Sequence, residues 1–120
     1  VLDQQRRHSY RVRLPISLRV PVALEETGKR VSARLLDLST RGCSTRVEPS
    51  IDIGPGDHIK INMRLAPMDF SCAAVVRNVQ CLGGASRIGL EFDLDPGVDG
   101  HAMEHAVARL QRDILRRRLG

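Results

Sequence analysis

Apolar and polar positions alternate from the start of the regular part of the chain. Between Arg11 and Leu24, residues Val12, Leu14, Ile16, Leu18, Val20 and Val22 share one face. Arg11, Arg13, Ser17, Arg19 and Pro21 share the other. This period of two is the signature of a half-buried strand. Pro15 and Pro21 on the polar face mark an edge or a bend, because proline has no N–H to give to a ladder. Glu25-Glu26-Thr27-Gly28 makes a turn, and Arg30 to Leu38 reads as the next strand. A tight polar turn over Asp37 to Gly42 precedes a strand at Cys43 to Val47. A Pro/Gly loop then ends at Gly54-Pro55-Gly56-Asp57. Ile59, Ile61, Met63 and Leu65 alternate again. Phe70 to Leu82 is a longer strand, Gly83-Gly84 a hairpin turn, and Ser86 to Leu94 its return partner.

Short strands separated by frequent turn signals argue for an antiparallel barrel or sandwich. The C-terminus follows a different period. Met103, Val107, Leu110 and Ile114, spaced four, three and four, form the apolar stripe of a helix that Asp99 can cap. Arg116, Arg117 and Arg118 fall in its last turn, where they complement the helix dipole. The expected organisation is an Arg-rich arm over residues 1–10, a barrel over 11–98 and a helix over 99–120. The chain opens on Val1 rather than Met, which reads as a piece of a longer protein.

Composition narrows this picture. In 120 residues one domain can build a modest core. The aromatic residues are Tyr10, Phe70 and Phe92, so that core must rest on Val, Leu and Ile. The net charge is +5, and Lys29 and Lys60 are the only lysines against seventeen arginines. Arginine suits planar, forked recognition of phosphate and stacking on bases; a GC-rich genome produces the same bias. Cys43, Cys72 and Cys81 have no metal-ligand spacing, and buried reduced thiols are the expectation for them. No apolar run is long enough to span a membrane, and no signal peptide is visible, so the chain reads as cytoplasmic.

Two segments carry recognisable chemistry. Gln5-Arg6-Arg7-His8-Ser9-Tyr10-Arg11 lies just ahead of the first strand. Its guanidinium groups can clamp phosphate oxygens and lie on purine faces. Asp37-Leu38-Ser39-Thr40-Arg41-Gly42 supplies a carboxylate for the N1–H and N2 amine of a guanine edge. It also offers a hydroxyl and a glycine that lets backbone approach closely. Arg-x-x-x-Arg recurs at Arg30/Arg34 and Arg112/Arg116, so that pair alone is uninformative. Asp-x-Ser-x-x-Gly is rarer, and its purely structural reading is a side-chain-stabilised turn.

Order and spacing add what each motif lacks. The arm opens the first strand, the Asp-x-Ser-x-x-Gly segment follows, and Gly89-Leu90-Glu91-Phe92 comes near the end of the strands, before the helix. In this arrangement the chain resembles the PilZ family over essentially its whole length. The resemblance implies a six-stranded antiparallel barrel with a C-terminal helix that binds cyclic di-GMP and catalyses nothing. Arg7 and Arg11 match the family's arginine pair, Asp37, Ser39 and Gly42 its second motif, and Gly89 a glycine late in the barrel. Arg6 occupies the position before the first motif arginine, where the family associates arginine with an intercalated pair of ligand molecules. The resemblance extends to the flagellar-brake subfamily, in which a separate N-terminal domain precedes this one. It implies an attached domain or protein partner in motility, biofilm or exopolysaccharide control.

The remaining residues have plainer readings. His8 is a spacer in the arm, or stacks on a base. His101 and His105 are helix surface, with Glu104 out of phase as a third ligand, and His58 is a loop or strand-surface residue. Asp93 and Asp95 are turn chemistry, and no catalytic motif occurs, so no catalytic residue, metal or cofactor is expected. A nucleic-acid-binding barrel would show aromatic stacking platforms, which this chain lacks. The alternative is a degenerate family member that serves as a protein scaffold and binds no nucleotide.

Overall fold

The computed structural model describes residues 11–16, 18, 20–49, 51–65, 68–94 and 98–119. Among these residues seven strands and one helix follow in order: β1 (Val12–Arg13), β2 (Pro21–Glu26), β3 (Lys29–Leu38), β4 (Gly42–Val47), β5 (His58–Leu65), β6 (Met68–Leu82), β7 (Ala85–Asp93) and α1 (Val98–Leu119). All pairings are antiparallel. The order β3-β2-β5-β6-β7-β4 closes through β3–β4 into a six-stranded barrel, and β1 lies outside it on the end of β3. Closure leaves no open edge among the six strands, which protects a small barrel from edge-to-edge association.

Local chemistry accounts for the connections. Thr27 and Gly28 both have positive φ, 48° and 83°, so a two-residue mirror-image turn joins β2 to β3 and follows their twist. Asp57 holds the loop before β5 by accepting from the Gly54 N–H at 2.8 Å. Gly56 N–H and Asp57 C=O then continue the ladder onto Val76.

The inward faces carry Leu38, Cys43, Val47, Ile61, Val76 and Ile88, all fully buried. Phe70 and Phe92, the only phenylalanines, meet with centroids 6.2 Å apart in a tilted pair. Met103, Val107, Leu110 and Ile114 extend this same core from α1, as their spacing predicts. The helix begins at Val98, so Asp99 lies in its first turn rather than ahead of it.

Three expectations need correction. The strand expected over Arg11 to Leu24 is broken into β1 and β2, because Pro15 interrupts the ladder and Pro21 only opens β2. The Leu18 N–H bonds to the Pro15 carbonyl at 3.0 Å, and Ile16, expected inside, is 79% exposed. Asp37 and Leu38 belong to β3, so the polar turn is confined to Ser39–Arg41. Of the thiols expected to be buried, only Cys43 is; Cys72 is half-buried and Cys81 exposed near the β6–β7 hairpin. Burial, reinforced by the nearby Asp37 carboxylate, pushes the Cys43 thiol far up, which keeps it protonated and inert.

Candidate ligand groove

Two β-bulges decide which side chains reach the outside of the barrel. The β3–β4 register shifts between Leu35 and Asp37, and the β6–β7 register shifts between Val76 and Asn78. Strict alternation would put Asp37 inside with Leu35. The extra residue, Leu36, turns Asp37 outward while Leu35 and Leu38 both stay in the core. Arg77 does the same for Asn78 after the buried Val76.

The register then lays Arg13, Asp37, Ser44, Gly89 and Asn78 in one row across β1, β3, β4, β7 and β6. A second row, two residues along, runs Arg34, Arg46, Arg87 and Gln80. Gly89 has no side chain, so the first row dips to bare backbone between Ser44 and Asn78. A Cβ there would come 2.7 Å from the Asn78 amide oxygen. Gln111, Ile114 and Leu115 of α1 face this surface, and Arg11 overhangs it. The result is an open groove of about 870 Å³, within the size range of small-molecule sites.

Asp37 organises the groove. Its Oδ1 accepts from Arg11 Nη1 at 2.9 Å and from the Ser44 N–H at 3.0 Å, and Arg87 Nη2 stands 3.9 Å from Oδ2. The carboxylate is 9% exposed and its Arg11 partner 51%. A largely covered acid therefore aims a half-exposed guanidinium across the groove. With Arg13 and Arg87 nearby, cationic groups outnumber the single carboxylate on this wall. Asn78, Gln80 and Gln111 add amides that both donate and accept. Such a wall suits a flat, polar, anionic ligand.

The other sequence-derived residues fall into three groups. Ser39 is 2% exposed, and its hydroxyl donates to the Gly42 carbonyl while accepting from the Arg41 and Gly42 N–H groups, at 3.1–3.2 Å. Its hydrogen-bonding capacity is spent on the turn. Gly42 packs on β7: an added Cβ would lie 2.1 Å from the Leu90 carbonyl oxygen. Arg6, Arg7 and His8 lie outside the described residues, as does Asp95. His58, Asp93, His101 and His105 are exposed, the last two in edge-to-face contact, and none lines the groove. Among the described residues no cluster of three or more metal-ligating side chains occurs, and no helix is long and apolar enough to cross a membrane.

Sequence reading missed Arg13, Ser44, Asn78, Gln80, Arg87 and Gln111. One available signal was the hairpin: pairing about Gly83-Gly84 puts Gln80 opposite Arg87 and Asn78 opposite Gly89 before any bulge is reached.

Ser39→Ala leaves the buried Gly42 N–H and the part-buried Arg41 N–H without their side-chain acceptor. The expected cost is about 1–3 kcal/mol, measured by urea denaturation. Unchanged stability together with lost ligand binding would instead assign the hydroxyl to the ligand.

The chain belongs to the PilZ domain family, whose model matches residues 5–109. Solved structures agree in fold. The PilZ domain of YcgR from Escherichia coli, solved with c-di-GMP, superposes with a TM-score of 0.79 at 18% identity, covering 94% of this chain and 97% of that one. The K. pneumonia MrkH–c-di-GMP complex gives 0.79 at 20% identity over 94% of this chain and 56% of the other. Bacillus subtilis MotI/DgrA, an inhibitor of motility, gives 0.71 at 16% over 90% and 53%. The chain thus spans nearly all of the isolated YcgR domain but about half the length of MrkH and MotI. Among curated proteins none matches the sequence significantly.

Proposed function

We propose that this chain is a cyclic di-GMP receptor domain, without enzymatic activity, that relays ligand binding to an attached domain or a protein partner. The observation that carries the reading is the Arg11–Asp37 pair at 2.9 Å, which joins the two motifs at the mouth of the groove. Phosphodiester oxygens take the forked donors of Arg11, Arg13 and Arg87. The guanine edge takes Asp37 and the amide wall, and the bare backbone at Gly89 gives a flat ring close access. The c-di-GMP complexes of YcgR and MrkH among its structural neighbours support the choice of ligand.

Arg11 already rests on Asp37, and the Leu14 N–H bonds to the bulge carbonyl of Leu36 at 2.9 Å. We read Arg6 and Arg7, which precede Arg11 in the sequence, as further ligand contacts. Ligand contact there would couple binding to an attached domain or a protein partner. Motility or biofilm control is the natural setting, as for the motility inhibitor MotI.

Isothermal titration calorimetry with cyclic di-GMP, against GTP and cyclic di-AMP, tests the reading. Selective saturation near two ligands per chain is expected, falling to near one in Arg6→Ala. One ligand per chain in the parent protein retains the receptor but removes the role given to Arg6. No binding by calorimetry and by a second method would make the chain a scaffold.

A further inference from the structure

The exposed side of α1 carries a file of basic residues that the groove does not use. His101, His105, Arg109, Arg112 and Arg116 are spaced four, four, three and four, and all are exposed. At 3.6 residues per turn they lie within about 80° of arc and run for about 22 Å along the helix. The apolar stripe of Met103, Leu110 and Ile114 occupies the opposite side, buried in the core. Glu104 and Asp113 stand on either border of the file and do not interrupt it.

On the barrel Arg11, Arg30, Arg46, Arg64, Arg77 and Arg87 each face a carboxylate within ion-pair distance; Arg13, Arg34 and Arg41 do not among the described residues, but they stand on three separate segments. Among the described residues Arg109, Arg112 and Arg116 have no such partner, although Asp113 is on the same helix. Unpaired arginines concentrated on one rigid ridge raise the local potential and steer an acidic surface toward it.

We infer that the Arg109–Arg112–Arg116 ridge docks an acidic helix of a protein partner. The shape of the file selects this occupant. A ridge one residue wide matches carboxylates repeated every three or four residues along another helix, so each guanidinium meets one acid at the neighbour spacing of a helix surface. A bilayer rewards an apolar face below the charges, and Leu115, the large apolar side chain beside the file among those described, lines the groove. Duplex nucleic acid binding rests on many phosphate contacts, and three arginines in single file supply few. The ridge is separate from the nucleotide wall, yet both are on α1, so a docked partner sits one helix width from the ligand.

Fluorescence anisotropy with defined probes tests the inference. Two labelled helical peptides of equal composition are compared, one with glutamates in single file at spacings of four, three and four, the other with them spread around the helix. Duplex DNA and vesicles of phosphatidylcholine with phosphatidylglycerol serve as competing probes. At low salt the in-file peptide should bind at least about tenfold more tightly than the others. Arg109→Gln/Arg112→Gln/Arg116→Gln should erase that preference, and Arg112→Gln alone should reduce it, with unchanged thermal melts. Equal binding of the two peptides, no loss in the triple variant, stronger binding of DNA or vesicles, or no binding at all would each overturn it. Because no nucleotide enters this assay, its outcome is independent of the receptor reading.

Discussion

Gly42→Ala should lower the stability of this domain more than alanine at any other described glycine. The added carbon would lie 2.1 Å from the Leu90 carbonyl oxygen, 3.2 Å from its carbonyl carbon and 3.3 Å from Glu91 Cα. All three are backbone atoms, so no rotamer change relieves the overlap. Relief requires β4 to move away from β7 at the Gly42–Glu91 pair, beside the Phe92 N–H to Arg41 C=O bond of 2.7 Å. That contact is one of the seams that close the barrel. Overpacking typically costs 1–3 kcal/mol and here should reach about 3 kcal/mol or more, lowering Tm by about 10 °C. Gly89→Ala provides the contrast. The atoms nearest its new methyl belong to the side chain of Asn78, which can swing aside, so about 1 kcal/mol is expected. Thermal and urea unfolding of both variants decides the matter. A normal melt for Gly42→Ala with binding abolished would return Gly42 to a ligand-contact role.

Gly42 illustrates how far sequence reading reaches. Its place in Asp-x-Ser-x-x-Gly is visible in the sequence, but what presses on it is β7, almost fifty residues away. The same division holds elsewhere. The helix was legible because Met103, Val107, Leu110 and Ile114 repeat at a period set by local geometry. The β6–β7 hairpin was legible because Gly83-Gly84 separates two apolar runs. The bulges at Leu36 and Arg77 left no such trace, since an extra residue in a strand disturbs alternation no more than ordinary sequence noise. Yet those bulges let Asp37 and Asn78 face the groove while Leu35 and Val76 stay in the core. Ile16 fits the alternation and is exposed, because Pro15 ends the strand before pairing can draw it inside. The motif residues of the second segment were found without their division of labour: Asp37 faces the groove while Ser39 and Gly42 build the turn and the seam.

Arg11→Ala should abolish measurable cyclic di-GMP binding while leaving the fold intact, and Asp37→Ala should damage both. The asymmetry follows from burial. Arg11 is half exposed, and an exposed ion pair contributes only about 0.2–1 kcal/mol to stability. Toward a phosphodiester the same guanidinium offers charge-assisted hydrogen bonds at about 1.5–3 kcal/mol each. Loss of two such bonds corresponds to a fall in affinity of about a hundredfold or more. Asp37 is nearly covered, accepts the Ser44 N–H and faces Arg11 and Arg87 together. Its removal strands a backbone donor at the β3–β4 seam and leaves the arginines to repel one another, so a loss of about 1–3 kcal/mol in stability accompanies the loss of binding. Arg11→Lys should fall between parent and alanine variant, because it keeps the charge and loses the fork. Since the two residues touch, the double variant should be non-additive in affinity. Calorimetric titrations of the three single variants and the double variant, each with a thermal melt, give the complete cycle. Parental affinity in both Arg11→Ala and a folded Asp37→Ala would remove the groove as the nucleotide site.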